Sequence, residues 1–215
     1  MTAPNLPACL DFTLHWEGGF QNNPNDAGNY LYGTIGGGPL IGTNMGITPR
    51  TLMSWLDRPL LASDMRDLTR ETAAAIYRTR FWNTVYGDSL SAGVDLMGFD
   101  HAVMAGPHYS LAEIGTAQAA SVDAQTKWLD AERMKLVQLR LTVPADGIFG
   151  PVTRAALSQR PVAQNALHIL YLGQLQEQYY RRLSGFTTFG IGWLNRLRAR
   201  QTAALNLMDE AHVSA

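Results

Sequence analysis

The stretch from Ser91 to Gly106, SAGVDLMGFDHAVMAG, constrains the fold more than any other part of the chain. Its ionisable side chains are Asp95, Asp100 and His101, and the rest is apolar on every side. A helix built from it has no face to offer to water, and it is too short to cross a membrane. It must therefore be enclosed by other elements, with a core around residues 94 to 105. The sequence supplies helices to enclose it. Leu6, Cys9, Leu10, Thr13, Leu14 and Trp16–Glu17 follow helical spacing, which Gly18-Gly19 end. Thr48-Pro49 reads as an N-cap and first helical residue, opening a helix through Trp55. Ala73, Ile76, Tyr77 and Phe81 line one face of a helix from about Thr69 to Arg80, and Ser110-Leu111-Ala112-Glu113 matches a capping box opening another. After the turn-rich TVPADGIFG of residues 142–150, Pro151 begins a short helix, Pro161 a long one to about Leu183, and Trp193 a last one to Leu207. Residues 18 to 47 are glycine-dense and read as loop with a short hairpin. The expected class is mainly α: a helical bundle around a buried central helix, with a small glycine-rich hairpin region near the N-terminus.

Composition narrows the function. At 215 residues, 46% hydrophobic and 16% charged, the chain is globular in character, enough for one sizeable domain or a domain with a small appendage. A formal charge of -1 removes the electrostatic argument for nucleic-acid binding. The charge is uneven, because residues 151–200 hold seven arginines against Glu177 alone, which suits an anionic polymer. The single cysteine, Cys9, cannot form an internal disulfide, and the five histidines fall into no metal-binding spacing, so neither a metal nor another cofactor is expected. The N-terminus lacks a basic n-region and carries Asp11 where a signal peptide would be apolar. Synthesis in the cytoplasm without a signal peptide, and no stable membrane insertion, are the corresponding expectations.

Two carboxylates stand out. Glu17 lies on the last turn of the first helix, near the negative end of its dipole and beside Trp16 and Phe20. Both influences favour the protonated form, which a glycosidase needs to protonate a leaving oxygen. Asp26, nine residues on, sits among Asn and Gly in a polar, hydrated turn that suits a carboxylate. Their plainer readings stay open: an exposed helix-end Glu, and an Asx-type turn at Asn25-Asp26.

HWEGGFQNNPNDAGN, followed by TNMGITPRTL, resembles the E-G-G-aromatic, N-x-P-x-D-x-G and T-N-x-G-I-T segments of glycoside hydrolase family 108. AAIYRTRFWNTVYGDSLSAGVDLMGFDHAVMAGP is similar to that family's central segment, and DGIFGPVTRAAL with YYRRLSGFTTFGIGWLNRL to its C-terminal peptidoglycan-binding part. The resemblance runs over roughly residues 8–198. It implies a lysozyme-like N-acetylmuramidase of phage or prophage endolysin type, with a catalytic domain at 1–143 and a helical peptidoglycan-binding region at 144–215 packed on it. By motif, Glu17 corresponds to the catalytic acid, Asp26 to the acidic residue of the following turn, and Thr43 to the threonine that places water. Asn44 and Thr48, from the same T-N-x-G-I-T segment, fall to substrate binding, although Thr48 also reads as the N-cap. The sequence departs from the family twice: NYLYGTIGGGPLIG replaces a short G-G-A link before Thr43, and Met104 stands where the family has Asn.

Tyr30 and Trp82 are candidates to stack on sugar rings, with core packing as the alternative. Asp100 is either a group on the floor of a cleft or the partner of an arginine such as Arg78 or Arg80. The apolar content of the Gly28–Gly42 insertion, with Tyr30, Leu31, Tyr32, Ile35 and Leu40, leads to the expectation of an ordered flap packed on the catalytic lobe or on glycan. The substrate expected is peptidoglycan and the protein a monomer, reaching the wall through a holin-type lesion. The rival readings are a lytic transglycosylase and a non-catalytic wall-binding or effector protein.

Overall fold

A computed structural model describes residues 5–127, 129, 131–159 and 161–213. Among these residues there are eleven α-helices and no strand, so the mainly α class holds. Three isolated antiparallel bridges, Gln21 with Thr43, Tyr30 with Leu40 and Asn44 with Ile47, stand where a hairpin was expected. The chain divides into two compact units, one of residues 10–80 and one of residues 1–9 with 81–215.

In the first, α1 (Leu6–Glu17) ends where Gly18 adopts a φ of 73°, a left-handed turn that a glycine makes without strain. Helix α2 (Pro49–Leu56) opens on Thr48, whose hydroxyl accepts from Thr51 N–H, with Pro49 at the first position. Helix α3 (Ala62–Arg66) is capped by Asp64, which accepts from Leu61 N–H and pairs with Arg58. The Arg58 hydrogen bond, assisted by the Leu61 amide, holds the Asp64 carboxyl down to about 2. Helix α4 (Arg70–Tyr77) opens on Thr69 and continues as a π-helical turn over Arg78–Trp82, in place of a regular helix to Arg80. Leu10, Leu14, Ile47, Leu52, Met65, Ala73 and Ile76 form the buried core of this unit.

The other unit is organised by α5 (Val94–Ala105), whose residues from Val94 to Ala102 are all buried, the ionisable Asp95, Asp100 and His101 included, because apolar residues occupy every side of the helix. It contacts α6 (Pro107–Ala119), α10 (Pro161–Arg182) and α11 (Phe186–Val213), while α7 (Val122–Lys127), α8 (Ala131–Leu141) and α9 (Pro151–Gln159) pack on α10. Gly93 has a reason to be glycine: a Cβ there would sit 2.3 Å from the Ala204 carbonyl oxygen of α11. Two helix starts differ from expectation. Ser110 is no cap; α6 begins at Pro107, and the buried Ser110 hydroxyl donates to Gly98 O at 2.6 Å. The last helix begins at Phe186, seven residues before Trp193, because the glycines of FTTFGIGW do not interrupt it.

A buried polar network ties α5, α10 and α11 together. Arg196 donates twice to Asp100, at 3.1 and 2.7 Å, and Arg200 once, at 2.7 Å. Arg200 also donates to Gln176 Oε1 and to the Tyr180 hydroxyl, which lies 2.8 Å from His101 Nδ1. Met104 Sδ stands 3.4 Å from the Tyr180 hydroxyl and 3.8 Å from Arg200, a weak acceptor where the family's motif has an amide. Such a network is costly to assemble and costlier to break.

Candidate active site

The candidate site is built in the 10–80 unit from the end of α1 and the loop that follows it. Glu17, the last residue of α1, is half-buried, and Trp16 and Phe20, close to it in sequence, have exposed rings. Opposite it, Asn44 to Ile47 form a tight turn in which Asn44 N–H donates to Ile47 O and Ile47 N–H to Asn44 O. Met45 and Gly46 both take positive φ, 48° and 71°, as a type I′ turn requires. Two outside contacts clamp the turn: Asn44 Nδ2 donates to Met65 O at 2.8 Å, and the buried Tyr77 hydroxyl donates to Met45 O at 2.9 Å. A Cβ on Gly46 would lie 2.5 Å from the Tyr77 hydroxyl and 2.7 Å from Glu17 Oε2. The bare backbone of Gly46 is thus what lets the Glu17 carboxyl and the Tyr77 hydroxyl close on one point.

Asp26 and Thr43 meet through a third residue. Gln21 Nε2 donates to Asp26 Oδ2 at 3.0 Å and to Thr43 Oγ at 2.9 Å. The backbones of Gln21 and Thr43 also exchange both N–H···O bonds, at 2.9 and 2.8 Å. Asp26 Oδ1 accepts from Gly28 N–H at 2.9 Å, so the residue caps the 3₁₀ turn Ala27–Asn29 while its other oxygen faces Gln21. The turn-forming reading of Asp26 therefore holds beside any catalytic one. Asn29, fully buried, donates from Nδ2 to Gln21 Oε1 and Asn23 O and, at 3.4 Å, to Asp26 Oδ2, while its main-chain carbonyl receives the N–H groups of Ile41 and Gly42.

The other sequence candidates are placed as follows. Tyr30 is half-buried and its hydroxyl donates to Pro24 O. Thr48 caps α2, and the Asn44 amide is occupied with Met65. Trp82 and Asp100 lie in the other unit and neither has accessible surface. Trp82 donates to Asp88 and packs edge-on to Phe99, so its ring is core and not a sugar platform. Asp100 pairs with Arg196 and Arg200, so the arginine-partner reading holds, with arginines other than the two named from the sequence, Arg78 and Arg80, and its full burial corrects a place on a cleft floor. Its partners lie almost a hundred residues away in sequence, a separation that no local pattern reports. Within the insertion, Tyr32 and Ile35 are each 64% exposed, so of the two expected packings, on the catalytic lobe or on glycan, the first does not hold for these side chains. Its path is fixed by backbone bonds instead, among them Leu31 N–H to Pro39 O and Tyr32 N–H to Gly37 O.

Sequence reasoning missed Gln21, Asn29, Tyr77 and Gly46. Gln21 stands four residues after Glu17 in EGGFQNN, and an amide between two candidate groups was the available signal.

Comparison with known proteins bears on this geometry. The family model described as Glycosyl hydrolase 108 matches residues 10–106, which takes in Glu17, Gln21, Asp26, Thr43 and Tyr77. The match supports a glycoside hydrolase. A solved structure, that of Brucella abortus SagA, is similar over 95% of this chain and 95% of that chain, at 29% identity and a TM-score of 0.56. No curated protein matches. Among the described residues, no helix is long and apolar enough to cross a membrane.

Proposed function

We propose that the protein is a peptidoglycan hydrolase, an N-acetylmuramidase that hydrolyses the β-1,4 bond between N-acetylmuramic acid and N-acetylglucosamine. The observation that carries this reading is the pairing of Asp26 and Thr43 through one amide, in the loop that begins at Glu17. Glycoside hydrolysis needs an acid to protonate the leaving oxygen and a second carboxylate to assist water or stabilise an oxocarbenium-like transition state. Glu17 takes the first role, Asp26 the second, and Thr43 orients the water. Positioned proton transfer of this kind contributes on the order of a hundred- to ten-thousandfold in rate.

The region from residue 144 onward is the wall-binding part of the same proposal, supported by the exposed Arg154, Arg181, Arg182 and Arg198 and by the exposed Phe189 and Ile191, while Arg196 and Arg200 are taken up by Asp100. A bacteriolytic endolysin that acts from the periplasm, as a monomer and after holin-dependent release, is the biological setting that fits. Digestion of purified peptidoglycan followed by mass spectrometry of the fragments tests the chemistry. Muropeptides with a reducing muramic acid end are expected. Anhydro-muramic ends would make the protein a lytic transglycosylase, and intact sacculi would make it non-catalytic.

A further inference from the structure

We propose that Gln21 is the positioning residue of this site: its amide fixes Asp26 and Thr43 as a pair of acceptors for one water. The inference rests on the muramidase reading above.

The orientation of the Gln21 amide follows from its surroundings. Its carbonyl oxygen accepts from Asn29 Nδ2 at 2.8 Å and from Asn23 N–H at 3.0 Å. The Asn23 group is a backbone donor, and no rotation turns it into an acceptor. The NH2 end must therefore face the other way, toward Asp26 Oδ2 and Thr43 Oγ. The main chain of Gln21 is itself bonded to Thr43 in both directions, so side chain and backbone are held together across the loop. Asn29 completes the frame, fully buried and bonded to Gln21, Asn23 and the backbone at residues 41 and 42.

The chemistry follows from what each atom can do. An amide N–H only donates, so the Thr43 oxygen accepts a hydrogen bond from Gln21 and turns its own O–H away from it. One Thr43 lone pair is left to accept. Asp26 Oδ2 receives from Gln21 at 3.0 Å and from Asn29 Nδ2 at 3.4 Å, and Oδ1 holds Gly28 N–H, so of its roughly four acceptor sites the carboxylate keeps one, on Oδ1, for a water. A water that donates one hydrogen to Asp26 and the other to Thr43 then has a lone pair turned outward, toward the anomeric carbon. In the step, that lone pair forms the new C–O bond and the bond to the leaving oxygen breaks. The water's proton passes to Asp26 as the leaving oxygen takes the proton of Glu17.

The experiment is a double-mutant cycle measured on soluble glycan strands, with thermal unfolding of each variant. Gln21→Met keeps the length and removes every side-chain hydrogen bond while the backbone bonds to Thr43 stay. Gln21→Glu keeps the acceptor toward Asn29 and Asn23 but replaces the donor, and it decides the question if the Met variant does not fold. Each should lower kcat about ten- to a hundredfold with KM within about twofold, the cost of misplacing a reacting group. In an Asp26→Asn background the same substitution should lower kcat no further than about threefold, because both changes disable one unit. Full kcat in Gln21→Glu, or losses that multiply with that of Asp26→Asn, would overturn the role of Gln21 and leave the muramidase reading standing. An Asp26→Asn enzyme as active as the parent would instead overturn the muramidase roles themselves.

Discussion

Gly46→Ala is the substitution whose consequence the structure defines most sharply. Its φ of 71° is left-handed, which costs a residue with a Cβ about 1–2 kcal/mol. The new methyl would also sit 2.5 Å from the Tyr77 hydroxyl and 2.7 Å from Glu17 Oε2. To restore ordinary contact at about 3.4 Å, the two oxygens must withdraw by about 0.7–0.9 Å. A displacement near 1 Å in a reacting group costs on the order of a hundredfold in rate. The two effects can be separated, because Gly33 has nearly the same φ, 75°, but open space where its Cβ would go. Gly33→Ala should lose about 1–2 kcal/mol of stability, the cost of its φ alone, and keep its kcat. Gly46→Ala should lose more in thermal unfolding than Gly33→Ala, because the Tyr77 hydroxyl must also draw back from Met45 O, and lose about a hundredfold in kcat, measured as release of reducing ends from peptidoglycan. A folded Gly46→Ala variant whose kcat stays within about threefold of the parent would refute the argument that the glycine is there to seat Glu17.

Three further outcomes follow from the packing. Asp100→Ala should destabilise the protein by about 3–5 kcal/mol, since it strands the buried Arg196 and Arg200 guanidinium groups without their counter-ion; chemical denaturation checks this. Burial pulls the imidazole of His101 below its ordinary 6.5, against the weaker opposing pull of Glu113, and burial acts on His168 in the same direction. The unfolded chain then binds more protons, so this stability is present above pH 6.5 and is lost as pH falls through 6.5 toward the lower folded value, visible as a falling thermal midpoint. His101→Gln should flatten that fall. Thr48→Ala should cost about 1 kcal/mol of stability through its lost cap while leaving KM unchanged, whereas a raised KM would give Thr48 a place against substrate.

The helical framework was legible because its signals are local. Thr48-Pro49, the glycines after Glu17 and the largely apolar 94–105 segment each fix an element by capping, by a left-handed stop or by lack of a polar face. Ser110 shows the limit of such signals: its hydroxyl has the spacing of a cap, yet burial beside Gly98 has it donate to that residue's carbonyl instead of accepting from a helix N–H. Glu17, Asp26 and Thr43 were visible as residue types in order. What joins them was not, because the Gln21 amide bonds at separations of 5 and 22 residues and the Tyr77 hydroxyl at 32. The same holds for Asp100, whose charge demanded a partner that only the packing of α11 identifies.

The central claim is that Glu17 supplies the proton to the leaving oxygen. Glu17→Gln preserves the size of the side chain and removes its acidity, so the variant should unfold at the parent's temperature, bind sacculi as the parent does and hydrolyse peptidoglycan at least about a hundredfold more slowly. Hydrolysis at or near the parent rate by that folded variant would contradict the account and place the acid elsewhere in the chain.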